Sequence, residues 1–197
     1  MVHGAVGQLM RIIGGEFRSR PLRAMRGMAT RPTSDRLRET LFNVLAAGRP
    51  EALAGTVWLD LFAGTGAVGL EALSRGARTV YFVESSRSAA AVIRENLRSL
   101  GVKEGCEVRE SEVVRALRAL EEARVRCDFC FLDPPYQDQK AYAETLGLLA
   151  TSRLITPVAT VIAEHEKRYD PGARFGELQR FRVLEQGDAA LSFYRLG

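Results

Sequence analysis

The sequence predicts an α/β protein built on a doubly wound, mostly parallel sheet. Three observations carry this. Short apolar strands, near 56–62, 79–84, 106–110, 127–133 and 158–164, alternate with helix-length segments near 67–75, 86–100, 112–122 and 138–150. The first strand runs into a glycine-rich turn, Ala63-Gly64-Thr65-Gly66-Ala67-Val68-Gly69, that opens a helix. The fourth strand ends on Asp133-Pro134-Pro135-Tyr136, at the strand terminus where open α/β sheets bind ligands.

Each element has a local reason. Residues 33–45 read as a leading helix with Thr33 or Ser34 as its cap. Gly64, Gly66 and Gly69 fit the G-x-G-x-x-G spacing, which allows a tight turn, close ligand approach and close helix packing. Glu84 ends the second strand, at the distance where an acid can hold a ribose diol, with Ser85 beside it. Glu112 follows the third strand. Each of these acids has a plainer alternative as a cap on the next helix. Segments 178–185 and 190–196 are strand-like and joined by Gly187-Asp188, so the chain closes on a hairpin.

A chain of 197 residues, 46% hydrophobic and 26% charged, has the size and composition of one globular domain. The net charge of +4 is uneven. Residues 1–50 carry nine Arg and three acids (+6), and the remainder carries 19 bases and 21 acids (−2). Arginine suits bidentate phosphate contacts, so a polyanionic partner is expected; the alternative is a solvated tail. The arm is poor in apolar residues and is expected to order only on that partner. No 18-residue apolar run indicates a membrane span, and a cytoplasmic location is the default expectation. Cys127 and Cys130 have C-x-x-C spacing, but strand periodicity should place them on opposite faces. With only Cys106, His3 and His165 besides, no metal site is expected.

The Asp133-Pro134-Pro135-Tyr136 stretch suits a flat substrate with an exocyclic amine. The carboxylate and a nearby carbonyl can accept from the amine, the prolines stiffen the loop without donating, and the Tyr136 ring offers a stacking face. Alone, the glycine turn would suit NAD, but a dehydrogenase has no need of the Pro-Pro loop.

Residues 60–66, Asp-Leu-Phe-Ala-Gly-Thr-Gly, resemble the S-adenosylmethionine (AdoMet) motif of class I methyltransferases, and residues 133–136 resemble their amino-methylating motif. Arg11-Ile12-Ile13-Gly14-Gly15 and the run from Arg31-Pro32-Thr33 to Leu41-Phe42-Asn43 are similar to the bacterial RsmD-type enzymes, which methylate guanine N2 in small-subunit ribosomal RNA. The resemblance runs from about residue 10 to the C-terminus. It implies a Rossmann-like class I methyltransferase sheet with a terminal antiparallel strand, and a division into a basic arm with leading helix (1–50) and an AdoMet-dependent methyltransferase domain (51–197). It implies AdoMet as cofactor and S-adenosylhomocysteine as product, with Asp60, Ala63, Gly64, Thr65, Gly66, Glu84 and Ser85 as binding residues. Glu112 stands where many relatives have Asp and is assigned the adenine edge. Asp133, Pro134, Pro135 and Tyr136 are the expected catalytic group. Arg18, Arg20, Arg23, Arg31 and Arg36 are the expected contacts to ribosomal RNA, within the small subunit or an assembly intermediate, for a protein acting as a monomer. The alternatives are a DNA adenine-N6 methyltransferase, a protein glutamine methyltransferase, an NAD-dependent oxidoreductase and a non-catalytic RNA-binding domain.

Overall fold

The computed structural model describes residues 10–25, 33–135 and 137–197. Among them, eight strands form one sheet: β1 (Val57–Leu61), β2 (Thr79–Glu84), β3 (Cys106–Glu110), β4 (Cys127–Leu132), β5 (Ile155–Glu166), β6 (Arg174–Phe175), β7 (Leu178–Gln186) and β8 (Ala189–Leu196). Their spatial order is β3-β2-β1-β4-β5-β8-β7-β6. The first five pair in parallel, with β1 between β2 and β4. Antiparallel β8 lies between β5 and β7, and β6 adds a short edge to β7. The order reverses on either side of β1, so the open crevice falls at the carboxyl ends of β1 and β4.

Helices α1 (Thr33–Ala46), α2 (Ala67–Ser74), α3 (Arg87–Leu100), α4 (Val113–Glu122) and α5 (Gln139–Thr151) follow the expected alternation. Strand periodicity sorts the core into two layers. Val57, Leu59 and Leu61 of β1 pack with Leu117 and Leu120 of α4 and Leu146 and Leu149 of α5. Trp58 points the other way, into a layer with Leu41 and Phe42 of α1, Leu70 of α2 and Ile93 of α3. The Trp58 ring stacks between Phe42 (5.3 Å) and Phe129 (4.6 Å), which fixes α1 over the centre of the sheet. Both faces of β1 are covered, and all five of its residues are buried.

The arm differs from expectation. Residues 10–25 are docked on the body of the protein. Ile12 and Leu22 are buried in the α1–α3 layer. The backbone is held by one buried carboxylate: Glu71 Oε2 accepts from Ile13 N (2.8 Å) and Oε1 from Gly14 N (2.8 Å). Ser74 Oγ accepts from Phe17 N at 2.9 Å. Two apolar anchors and satisfied backbone groups supply what composition alone does not reveal. Gly15 explains the glycine pair. Its φ is +77°, and a Cβ there would lie 1.8 Å from the Ser74 carbonyl oxygen. Gly15→Ala is therefore expected to destabilise the protein by more than about 1 kcal/mol, combining a left-handed backbone with a steric clash. An unchanged urea midpoint would show that this docking contributes nothing to stability.

Other differences are local. β5 begins at Ile155, before the expected 158, and its register with β4 shifts between Cys127 and Phe129. Cys127 and Cys130 share one core layer instead of facing opposite ways. Burial pushes the Cys127 thiol up to about 12 and the Cys130 thiol also well up, so both stay protonated. The two-residue β6 was not expected. Gly187-Asp188 does turn β7 into β8, with Gly187 at φ +61°. His165 lies in β5, its Nε2 2.9 Å from Ser192 Oγ, as a buried strand partner. Expectations for Tyr136, Arg31, His3 and the Thr33 or Ser34 cap fall outside the described residues or side chains. No helix among the described residues is long and apolar enough to cross a membrane.

Candidate active site

A cavity of about 600 Å³ opens at the carboxyl ends of β1, β2 and β4. The glycine turn forms one wall. Phe62 leaves β1 with φ +58°, a rare conformation for an aromatic residue, and Gly64 and Gly66 follow at +55° and +78°. This winding delivers the chain to the start of α2. Gly69 allows the helix to seat: a Cβ there would lie 2.3 Å from the Phe82 ring. The close approach lets Gly69 N donate to Asp60 Oδ2 at 2.9 Å.

Glu84 is held at both oxygens. Oε2 accepts from Gly64 N (2.8 Å) and Oε1 from Ser86 N (2.8 Å). A carboxylate can accept about four hydrogen bonds, so two positions remain for a ligand. Asp60 is 2% exposed. Burial raises its carboxyl to about 8; the Gly69 N–H opposes this, and Asp133 and Glu84 add to it. At that value the protonated form of Asp60 predominates at neutral pH, and a cation beside it would favour the ionised form.

The opposite wall begins where β4 ends. Asp133 N donates to Leu61 O at 3.4 Å, which keeps the loop beside the glycine turn. Pro135 O accepts from Asp138 N (2.7 Å), and the Asp138 side chain caps α5 by accepting from Ala141 N (3.2 Å). Pro134 is buried and Pro135 exposed.

Of the expected site residues, Asp60, Ala63, Gly64, Thr65, Glu84, Ser85, Asp133, Pro134 and Pro135 line this one cavity. Gly66 lies behind it, where a Cβ would meet Ile93 and Phe82 at 3.2 Å. Glu112 sits at the start of α4, exposed, outside the lining and making no cap hydrogen bond. Arg18, Arg20, Arg23 and Arg36 are exposed and are not among the lining residues. Two of them are engaged with α3: Arg20 Nη2 donates to Ser99 O (2.6 Å), and Arg23 pairs with Glu95 (3.1 Å). An exposed pair of this kind contributes little to stability.

Other residues at or beside the cavity were not foreseen. Met10 and Met25 bring both ends of the docked arm to the cavity. Asn96 ties arm to turn, accepting from Arg23 N (2.7 Å) and donating to Thr65 O (3.1 Å). Arg38 lines the cavity with its side chain only 3% exposed. It donates to Asp35 (2.9 Å) and to Arg11 O, and its Nε lies 3.6 Å from Glu71. Burial lowers its pKa, while Asp35 and Glu71 oppose that. A signal existed: Arg38 falls within the stripe of Leu37, Leu41 and Phe42, so it is a cation on a buried helix face. Among the described residues, no group of three or more His, Cys, Asp or Glu is arranged to hold a metal ion.

Comparison with known proteins identifies the family. A family model described as "Conserved hypothetical protein 95" matches residues 10–195. The ribosomal RNA small subunit methyltransferase D of Escherichia coli (strain K12) is 35% identical over 164 residues, 83% of this chain and 78% of that one. The Bacillus subtilis (strain 168) protein YlbH is 33% identical over 186 residues, 94% and 98% of the two chains. A solved structure of a hypothetical protein from Thermus thermophilus is 31% identical with a TM-score of 0.77, covering 94% of this chain and 98% of that one. The chain belongs to the RsmD family of Rossmann-like methyltransferases, the family which that model describes.

Proposed function

We propose that this protein transfers a methyl group from AdoMet to the exocyclic N2 amine of a guanine in small-subunit ribosomal RNA. The observation that carries the reading is that the glycine turn with Glu84 and the Asp133-Pro134-Pro135 loop open into the same cavity. Charge supports the cofactor. The described lining has three carboxylates (Glu84, Asp133, Glu164), the buried carboxyl of Asp60, and one guanidinium (Arg38). AdoMet has two cations, its sulfonium and ammonium, and one carboxylate. Glu84, with two acceptor positions remaining, suits the ribose diol. Asp60 suits the ammonium, which would draw its pKa back down. Arg38 is the group available to the carboxylate. Backbone from Ala63 to Gly66 approaches the ligand at the start of α2. Glu112 is the weakest assignment of the set, since the adenine edge would need its exposed side chain to turn inward.

AdoMet, when bound, supplies an electrophilic methyl on sulfur. Guanine N2 is a poor nucleophile because its lone pair is delocalised into the ring. The protein's task is to hold that nitrogen in line and to favour it as it becomes tetrahedral and cationic. Asp133 and the Pro134 carbonyl accept from the amine and stabilise that charge. The stiff Pro-Pro loop keeps them oriented, and positioning supplies much of the remaining rate. Tyr136 would stack on the extruded base. Arg18, Arg20, Arg23, Arg31 and Arg36 would contact phosphates. The relatives' names support the substrate: the Escherichia coli protein is named a ribosomal RNA small subunit methyltransferase.

Ligand-dependent melting tests the cofactor. S-adenosylhomocysteine at about a hundred times its Kd should stabilise the protein by about 2.7 kcal/mol, and NAD should have no effect. Stabilisation by NAD alone would favour the oxidoreductase reading instead.

A further inference from the structure

On the outer part of the sheet, three side chains form a surface that the cavity chemistry does not use. β7 pairs with β8 as Arg180 with Tyr194 and then Arg182 with Phe193, so Phe181 is an extra, bulged residue. Its side chain is not tucked away: Phe181 is 45% exposed. The Arg195 guanidinium lies over the Phe181 ring at 3.8 Å, and Arg182 lies over the adjoining Phe193 ring at 5.9 Å. Phe181 and Phe193 are themselves 6.2 Å apart. Arg180, by contrast, is committed to Asp170 at 3.1 Å. Neither Arg182 nor Arg195 has an ion-pair partner among the described residues.

Protection of the sheet edge accounts for part of this. β6 covers only Leu178 and Gln179, and a bulge with charged side chains would discourage strand pairing beyond them. Edge protection does not call for a half-exposed aromatic ring under a guanidinium. A flat cationic stack with two unpaired guanidinium groups suits an unstacked nucleobase and its flanking phosphates. The surface is also joined to the cavity. Leu191 lines the cavity, and Leu191, Phe193 and Arg195 alternate along one face of β8. Four residues of strand span only about 13 Å.

We propose that Phe181, Arg182 and Arg195 form a second RNA contact, holding a single-stranded nucleotide near the one presented to the cavity. This rests on the RNA methyltransferase reading above. The test is binding of small-subunit ribosomal RNA across a salt series by the full chain, Phe181→Ala, and the double variant Arg182→Ala/Arg195→Ala. Losing two phosphate contacts should reduce the log–log salt slope by about 1.4–1.8. Losing the stack should weaken binding roughly tenfold. S-adenosylhomocysteine affinity should stay unchanged in all three proteins, which shows that each variant is folded at the assay temperature. Unchanged RNA affinity and slope in both variants would overturn the proposal. So would a wild-type dimer, seen by sedimentation, that these substitutions split, because the surface would then belong to a second copy. If the unaltered protein binds neither this RNA nor S-adenosylhomocysteine, the methyltransferase reading fails first and this contact with it.

Discussion

Asp133→Ala should lower methyl transfer at least about a hundredfold, the range lost when one well-placed electrostatic contact to a developing charge is removed. The substitution leaves Gly64, Glu84 and their hydrogen bonds in place, so S-adenosylhomocysteine affinity should change little. Asp133 also contributes to raising the Asp60 carboxyl, and its removal should make Asp60 easier to ionise. That change favours a cationic ligand and runs opposite to a binding defect. Asp133→Asn, which keeps an oxygen acceptor without the charge, should retain part of the rate. Single-turnover assays at saturating cofactor separate the step from binding. Near-normal turnover in the alanine variant would remove Asp133 from the reaction.

Glu84→Ala should weaken S-adenosylhomocysteine by roughly 1–3 kcal/mol, about fivefold to more than a hundredfold. Two effects act together. The proposed acceptor for the ribose diol is lost, and Gly64 N and Ser86 N lose the carboxylate that orients the turn. Glu84→Gln should fall between the two, because its amide can accept at one oxygen only. Isothermal calorimetry reads both. Unchanged affinity in the alanine variant would reduce Glu84 to a brace for the loop.

The sheet was legible because its signals are local. Parallel strands buried on both faces read as short apolar runs, and Val57 to Leu61 is one. The glycine turn and the Asp133 loop were legible because their backbone demands restrict residue type. The docking of residues 10–25 was not, since it depends on Glu71, 57 residues and more away from its partners in sequence. Gly14 and Gly15 stood out only through the family resemblance, and the Ser74 carbonyl that calls for glycine at 15 is visible only in three dimensions. The same holds for Cys127 and Cys130. Strict alternation would separate them, and the irregular start of β4, where Asp128 Oδ2 accepts from Val57 N, depends on a partner 71 residues away in sequence. Arg38 was overlooked because an arginine in an Arg-rich segment reads as surface, although its place beside Leu37 and Leu41 argued otherwise. Met10 and Met25 carry a related lesson: the arm that composition marks for a polyanionic partner also walls the cavity.

The most direct test is nucleoside mass mapping of small-subunit ribosomal RNA from cells with and without this protein. One N2-methylguanosine should be present in the parent and absent in the deletion. It should return with the intact chain and fail to return with Asp133→Ala. Identical maps from both cells, or a lost methyl that maps to an adenine, would contradict the account.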